Sequence, residues 1–339
     1  MKAVIFAYSR QGIRTAERIE AFFHGSEIRK FAPDRFSQEG FGRLPKGGRN
    51  FYGEQFSWAD ALIFISSCGI AVREIAPHIR SKTTDPAVLC IDELGHYIIP
   101  LLSGHIGGAN ALARQLSKAV NAVPVITTAT DINGRFSVDS WAAANGFIIG
   151  SMERAKEISA AILERDLPLC SALPVMTELP DGIYSGEQGE LGIYIGWEKR
   201  DPFEKTLHLI PPVLHLGIGC RKGVRAEDIR DAVSAALTKE NIDARAVKCA
   251  ASIDLKAEEH GLLEYCRSAN LPVRFYTAEE LSAIPGDFTG SEFVKSITGV
   301  DNICERAAMI GAQKIILKKT AGKGITIAIA AERKEVRFA

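Results

Sequence analysis

The chain is expected to be an α/β protein. It has an N-terminal doubly wound α/β/α domain, a small middle segment and a second α/β/α domain at the C-terminus. Three observations predict this. Short apolar runs alternate with segments of helical spacing over residues 1–150. Pro168, Pro174 and Pro180 then interrupt a Gly-rich stretch, 151–212. After Pro211 and Pro212 the strand–helix alternation resumes through 213–339. These three ranges are the predicted domains.

Residues 2–8 form a short apolar strand. Ser9, Gln11 and Gly12 turn the chain into a helix over 13–24, where Ile13, Ala16, Ile19, Phe22 and Phe23 fall at helical spacing. A second strand at 27–31 completes a strand–helix–strand opening, which favours a parallel sheet. The stretch 33–50, rich in Gly, Pro, Arg and Lys, reads as a mobile or functional loop. A buried strand at 61–65 leads through Ser66, Ser67 and Gly69 into a helix at 69–80, with Pro77 near its end. Strands at 87–91 and 97–102, a helix at 106–120, a strand at 123–127 and a helix at 137–145 follow, and Gly146 closes the last. In the middle segment a helix at 152–164 precedes short strands, such as 191–195, with hairpin character. The C-terminal domain opens with a strand at 213–218, where Gly217, Gly219 and Gly223 flank a tight turn. Helices at 226–238, 258–266, 278–283 and 302–311 then alternate with strands at 246–253, 271–275, 314–317 and 325–330.

The 41 Lys and Arg balance the 41 Asp and Glu. A protein held to nucleic acid by bulk charge would be basic, so no nucleic-acid partner is expected. An anionic ligand must be held by local groups. The seven cysteines form no CxxC pair, which argues against a disulfide framework and against a protein metal site. No apolar run reaches membrane-spanning length. The start, MKAVIFAYSRQG, lacks the features of a signal peptide. A soluble, cytoplasmic protein is expected.

The densest stretch for chemistry is 101–110, LLSGHIGGAN. It follows an apolar strand and opens a helix. Ser103 or Gly104 turns the chain, and Gly107 and Gly108 would leave backbone N–H groups open to a carboxylate or phosphate. His105 at this mouth suits general acid–base work, although a capping turn with a satisfied histidine is the plainer alternative. Asp131 ends the run TTATD at 127–131, where it activates water, orients His105, or simply makes an Asx-turn or caps the next helix. A second strand-to-helix turn, SSCGIAVR at 66–73, offers the amide of Gly69 and the charge of Arg73. Cys68 lacks a histidine–carboxylate signature, so covalent catalysis is not expected there. The C-terminal half repeats the theme in GIGCRKG at 217–223 and SIDLK at 252–256. Ser291, at a helix start, and Lys318, after a strand, add polar groups. Together these suggest a basic, amide-rich crevice for a ligand with several carboxylates.

These blocks resemble the cobalamin-biosynthesis protein G family, the cobalt-precorrin-5A hydrolases. The resemblance rests on GIAVREIAP at 69–77, Lys82 with DPAV at 85–88, DELG at 92–95, LLSGHIGGAN at 101–110 and TTATD at 127–131. It continues in LGIGCRKG at 216–223, SIDLK at 252–256, residues 291–305 and the stretch from Lys318. It implies a cobalt-bearing tetrapyrrole substrate with acetate and propionate arms. Water opens a δ-lactone on ring A, and the two-carbon unit leaves as acetaldehyde. Cobalt arrives inside the substrate, so no cofactor of the protein's own is implied. The resemblance leaves room for a homo-oligomer and for transient contacts with other corrin-pathway enzymes. A non-catalytic carrier of the labile intermediate is the alternative.

For such a reaction the residue chemistry makes His105 the expected general base, with Asp131 orienting it and Ser103 as a further catalytic candidate. Gly107 and Gly108 would bind the oxyanion or a neighbouring acetate. Arg73, Arg221 and Lys256 would pair with peripheral carboxylates. Gly69, Asn110, Gly219, Asp254, Ser291 and Lys318 complete the expected substrate-binding set.

Overall fold

The structure, a computed structural model, describes residues 1–36, 40–45, 48–81 and 84–338. Lys82 and parts of the 33–50 loop lie outside the described residues. The chain is a mixed α/β protein that divides into two units, Met1–Ser140 and Trp141–Ala339.

The first unit runs β1 (Lys2–Ala7), α1 (Arg10–Glu20), β2 (Glu27–Ala32), β3 (Gly42–Arg43), α2 (Arg49–Trp58), β4 (Ala61–Ile65) and α3 (Cys68–Ile75). It continues with β5 (Ala87–Ile91), β6 (Tyr97–Leu102), α4 (Ala109–Val120), β7 (Val123–Pro124), α5 (Ala129–Ile132) and the start of α6 (Val138–Ala144). Its sheet has the order β3-β2-β1-β4-β5-β6-β7. Successive strand residues point to opposite faces, and both faces are apolar. Ile5, Ile63 and Leu89 pack with Ile13 and Ile19 of α1 and Leu112 and Leu116 of α4. Phe6, Leu62 and Phe64 pack on the other face, with Tyr52 and Phe56 of α2 and Ile75 of α3. Burial on both faces accounts for the uninterrupted apolar runs. Ser9 caps α1 by accepting from the Gly12 N–H at 3.0 Å.

One pairing decides where the chemistry sits. β1, β2, β3, β4 and β5 run parallel, but β6 runs antiparallel to β5. The connection over 92–96 is too short for a crossover helix. Asp92 shapes it by accepting from the N–H groups of Leu94 at 3.0 Å and Tyr97 at 2.6 Å. Gly95 takes φ 74° there. β7 is parallel to β6. The carboxyl ends of β6 and β7 therefore lie beside the amino ends of β4 and β5, with Leu102 opposite Val88.

The second unit holds two sheets. In the first, β8 (Ile148–Ile149), β9 (Leu167–Ser171), β10 (Ile183–Ser185), β11 (Leu191–Ile195) and β12 (Lys205–Ile210) are ordered β10-β9-β11-β12-β8. The hairpin character expected of this segment is not found. β9, β10, β11 and β12 are mutually parallel where they pair, and only β8 is antiparallel. The helix α7 (Met152–Ala161) is capped by Ser151.

The second sheet contains β13 (Leu214–Cys220), β14 (Val247–Ile253), β15 (Val273–Tyr276), β16 (Lys314–Gly322) and β17 (Ile325–Ala331), in the order β15-β14-β13-β17-β16. α8 (Ala226–Lys239) and α9 (His260–Ser268) cover one face through Ile229, Val233 and Leu262 against Leu216, Ile218 and Ile327. α10 (Ala278–Ser282), α11 (Glu292–Thr298) and α12 (Cys304–Met309) follow. Cys304 and Ala308 of α12 pack on Ala328 and Ala330 of β17. Gly217 and Gly219 lie inside β13 rather than in a turn. The turn comes after them, at 221–225.

His215 on β13 is buried, and each ring nitrogen meets an acceptor. Nδ1 is 3.0 Å from the Ile310 carbonyl and Nε2 is 2.8 Å from Glu332 Oε1. Hydrogen bonding to Cys249, and then to Glu332, outweighs burial and raises its pKa above the ordinary 6.5. A raised folded-state value means the stabilisation is complete below the unfolded value and is lost as pH rises through the folded one. The stability difference between the parent and His215→Gln is thus expected to shrink as pH rises from about 6 to about 8. Denaturant titrations of both at each pH measure it, and a difference constant with pH would contradict the ionised imidazole.

Candidate functional site

The loop between β6 and α4 is built by backbone conformations that its sequence supplies. Ser103 takes φ 56° and Gly108 φ 79°, both left-handed. The Ser103 hydroxyl donates to the Asp85 carbonyl at 2.9 Å, pinning the loop to the segment before β5. A Cβ on Gly107 would lie 2.3 Å from the Ser103 Cβ, so only glycine fits there. The loop carbonyls of Ser103, Gly104 and His105 accept from the N–H groups of Ala109, Asn110 and Gly108. Those donors are consumed internally. The Gly108 amide is therefore not open to a ligand as expected, and the helix starts at 109 instead of 106. Ser103 is a loop anchor in this geometry.

This loop sets His105 against two carboxylates. Its Nε2 lies 3.3 Å from Asp131 Oδ2 and 3.3 Å from Thr130 Oγ1. Its Nδ1 lies 3.2 Å from Asp139 Oδ1. The His105 side chain is 21% exposed, that of Asp131 19% and that of Asp139 8%. Asp131, on α5, is tied down further. Its Oδ2 accepts from Asn110 Nδ2 at 2.8 Å and from Thr128 Oγ1 at 2.6 Å, and its Oδ1 meets Arg114 at 2.7 Å. Asp139, at the start of α6, accepts from the Ser137 hydroxyl and the Ser140 N–H, each at 3.0 Å.

Charge follows geometry. The hydrogen bond to Asp139 is the largest influence on His105; with the two nearby carboxylate charges it outweighs burial and raises the ring's pKa above 6.5. Burial works to raise both carboxyls. For Asp131, the Thr128 and Asn110 hydrogen bonds and the Arg114 charge win and hold it below its usual range. For Asp139, contact with His105 and the bonds from Ser137 and Ser140 do the same. The result is a largely buried histidine, rich in proton affinity, between two ionised carboxylates. Such a group can take a proton from water or from a hydroxyl and return it.

The remaining predicted residues fall elsewhere. Gly69 lies in the first turn of α3, at the carboxyl end of β4. The antiparallel turn of β6 puts His105 at the opposite edge of that sheet. Arg73, one turn further along α3, is exposed and outside the His105 cluster. The structure therefore does not bring Gly69 and Arg73 to His105. In the second unit, Arg221 and Asp254 follow the carboxyl ends of the neighbouring parallel strands β13 and β14. Lys256 pairs with Glu259 at 3.3 Å, and Glu259 also accepts from the Gly223 N–H at 2.9 Å. Gly219 sits 2.4 Å, by its hypothetical Cβ, from the Thr326 hydroxyl, a packing reason for glycine. Asp254 holds the Leu255 N–H, Ser291 caps α11, and Lys318 is exposed on β16. Among the described residues no group of three or more His, Cys, Asp or Glu side chains is arranged to hold a metal ion.

Residues 50–131 match the family pattern described as Cobalamin synthesis G N-terminal, and residues 214–330 the one described as Cobalamin synthesis G C-terminus. The chain is also 31% identical to the cobalt-precorrin-5A hydrolase of Salmonella typhimurium, with 96% of each chain covered. This chain belongs to the cobalamin synthesis G family. A second relative is the cobalt-precorrin-5A hydrolase of Priestia megaterium, 28% identical over 96% of this chain and 94% of that one. A solved cobalamin biosynthesis protein G homologue from Sulfolobus solfataricus is 24% identical, covers 97% of both chains and superposes with a TM-score of 0.41.

For this cobalamin synthesis G chain, the residues that sequence reading passed over are Asp139, Arg114 and Thr128. Asp139 left one signal, the Ser137-Val-Asp139-Ser140 helix start, which reads equally as ordinary capping. Arg114 follows Asn110 by one helical turn, the spacing that puts both on Asp131. Among the described residues no helix is long and apolar enough to cross a membrane.

Proposed function

We propose that this chain is a cobalt-precorrin-5A hydrolase of cobalamin biosynthesis. It opens the ring-A δ-lactone with water and releases the two-carbon unit as acetaldehyde, giving cobalt-precorrin-5B. One observation carries the reading: the match to the Salmonella typhimurium hydrolase spans nearly the whole of both chains. The His105 cluster supports it chemically. Cobalt is part of the substrate, and the chain supplies amino-acid groups only.

The residue roles follow from the geometry. His105 takes a proton from water as the water oxygen forms a bond to the lactone carbonyl carbon. The ring C–O bond breaks and its oxygen takes that proton from His105, giving a hydroxyl and a carboxylic acid that ionises to solvent. The neutral His105 then takes the hydroxyl proton; the C–C bond to the extruded carbon breaks with its electron pair passing to the ring carbon, acetaldehyde departs, and His105 returns its proton to that carbon. Asp131 opposes Nε2 with negative charge and stabilises the imidazolium formed at each uptake. The Gly107 amide, in the loop, and Arg114, on α4, meet the substrate's anionic arms, while Asn110 gives its side-chain N–H groups to Thr128 and Asp131. The protein works in the cytoplasm and passes its labile product on by transient contact.

Anaerobic incubation of the pure protein with cobalt-precorrin-5A tests this. One acetaldehyde trapped per substrate, with a matching corrinoid mass loss, is the expected result. Intact lactone bound tightly and recovered unchanged would instead establish a carrier.

A further inference from the structure

We propose that Asp139 is the positioning residue for His105: it holds the ring through Nδ1, so that Nε2 is the nitrogen that exchanges protons with the substrate. This rests on His105 being the base of the proposed hydrolase. The observation is the division of labour between two carboxylates. Asp131, the expected orienting group, already accepts from Asn110 and Thr128 and pairs with Arg114, and its contact with His105 is the longest of its set. Asp139 is more buried, and it reaches the ring nitrogen on the far side from Asp131. The Ser137 hydroxyl and the Ser140 N–H both donate to the Asp139 oxygen that faces His105. That oxygen is thus fixed before substrate arrives.

A histidine with one nitrogen committed to a buried carboxylate has a defined tautomer. Nδ1, 3.2 Å from the more buried carboxylate, keeps its proton, and Nε2, which meets Asp131 and Thr130 at 3.3 Å, is the nitrogen that gives its proton up and takes it back. The charged groups that face the ring are Asp139 on α6, Asp131 on α5 and, behind Asp131, Arg114 on α4. Removing the Asp139 charge leaves Asp131 in place. The ring then loses its anchor and part of its proton affinity without losing its other neighbours.

The experiment is Asp139→Asn in the full-length chain, followed in two ways. Histidine-selective NMR, assigned with His105→Gln, reads the midpoint of His105 titration. Steady-state acetaldehyde release reads kcat and KM against pH. The expected result is a His105 midpoint displaced toward lower pH and kcat lowered about 10- to 100-fold, part of the 10²–10⁴ that general acid–base catalysis supplies. KM should stay within about twofold, since the loss falls on the transition state. The rising limb of the kcat profile should move down in pH with the midpoint. Asp139→Glu, which restores the carboxylate, should recover part of both. If Asp139→Asn does not fold, Ser137→Ala serves as the milder variant, with the same directions at smaller size.

An unchanged His105 midpoint overturns the proposal. A midpoint that falls while kcat and its pH limb hold also overturns it, by showing that His105 is not the proton-transfer group. The two failures are thereby told apart.

Discussion

Replacing His105 with alanine is expected to abolish the rising alkaline limb of acetaldehyde release and to lower kcat by about 10²–10⁴-fold. The direction follows from the site. A base acts in its neutral form, and the Asp139 hydrogen bond, with the two carboxylate charges, raises the pKa of His105 above the ordinary 6.5 against burial. Activity in the parent should therefore climb with pH through a limb lying above that value. The alanine variant has no such group, so its residual rate should be flat there. Above the His105 pKa, where the ring is neutral, substrate binding should change little, because the cluster's formal charge then lies on Asp131, Asp139 and Arg114, which remain. The folded state should survive as well. Ser103 and Gly108 hold the loop through backbone and hydroxyl bonds that do not involve the imidazole ring. Kinetics across pH on both proteins check this. A variant retaining more than about a tenth of parental kcat would remove His105 from the chemistry.

The second large effect is structural. Gly217→Ala should destabilise the second unit by about 3 kcal/mol or more. A Cβ at Gly217 would stand 1.8 Å from the Cys304 carbonyl oxygen and 3.0 Å from the Ala308 Cβ. Both belong to α12, which packs directly against β13 at this point. The clash is with backbone, so no rotamer change relieves it, and either the helix moves or the central strand bows. Gly219, two residues on, gives the contrast. Its Cβ would meet only the Thr326 hydroxyl, a side-chain end that can rotate. It does so by giving up its 3.3 Å bond to the Gly219 carbonyl. Gly219→Ala should cost about 1 kcal/mol. Urea unfolding of both variants ranks them. Equal losses would contradict the close approach of α12 to β13.

The α/β class and most strand positions were legible because burial writes itself into composition. The runs at 61–65 and 87–91 are wholly apolar since both faces of their sheet are covered. His105 stood out because Gly-Gly at a helix start needs a reason, and the loop supplies one in the Ser103–Gly107 approach. The direction of β6 was also within reach. DELG and one more residue separate the strands at 87–91 and 97–102, and no parallel crossover fits in that length. That inference would have separated Gly69 and Arg73 from His105 at the outset. The parallel pairing of β9, β10 and β11 was not legible, since proline-rich connections of intermediate length suit hairpins and crossovers alike. Asp139 was hidden for another reason. A carboxylate in the first helical turn is ordinary capping chemistry, and only the fold shows that His105 lies against it.

The turn at 92–96 has one more consequence, for how variants combine. It places Gly69 and His105 at opposite ends of strands about 17 Å long, at roughly 3.4 Å per residue. At that separation, with no shared partner, the free-energy effects of substitutions add. A defect introduced beside Gly69 and another beside His105 are then independent terms. A suppressor found at one edge of this sheet has no direct route for repairing the other.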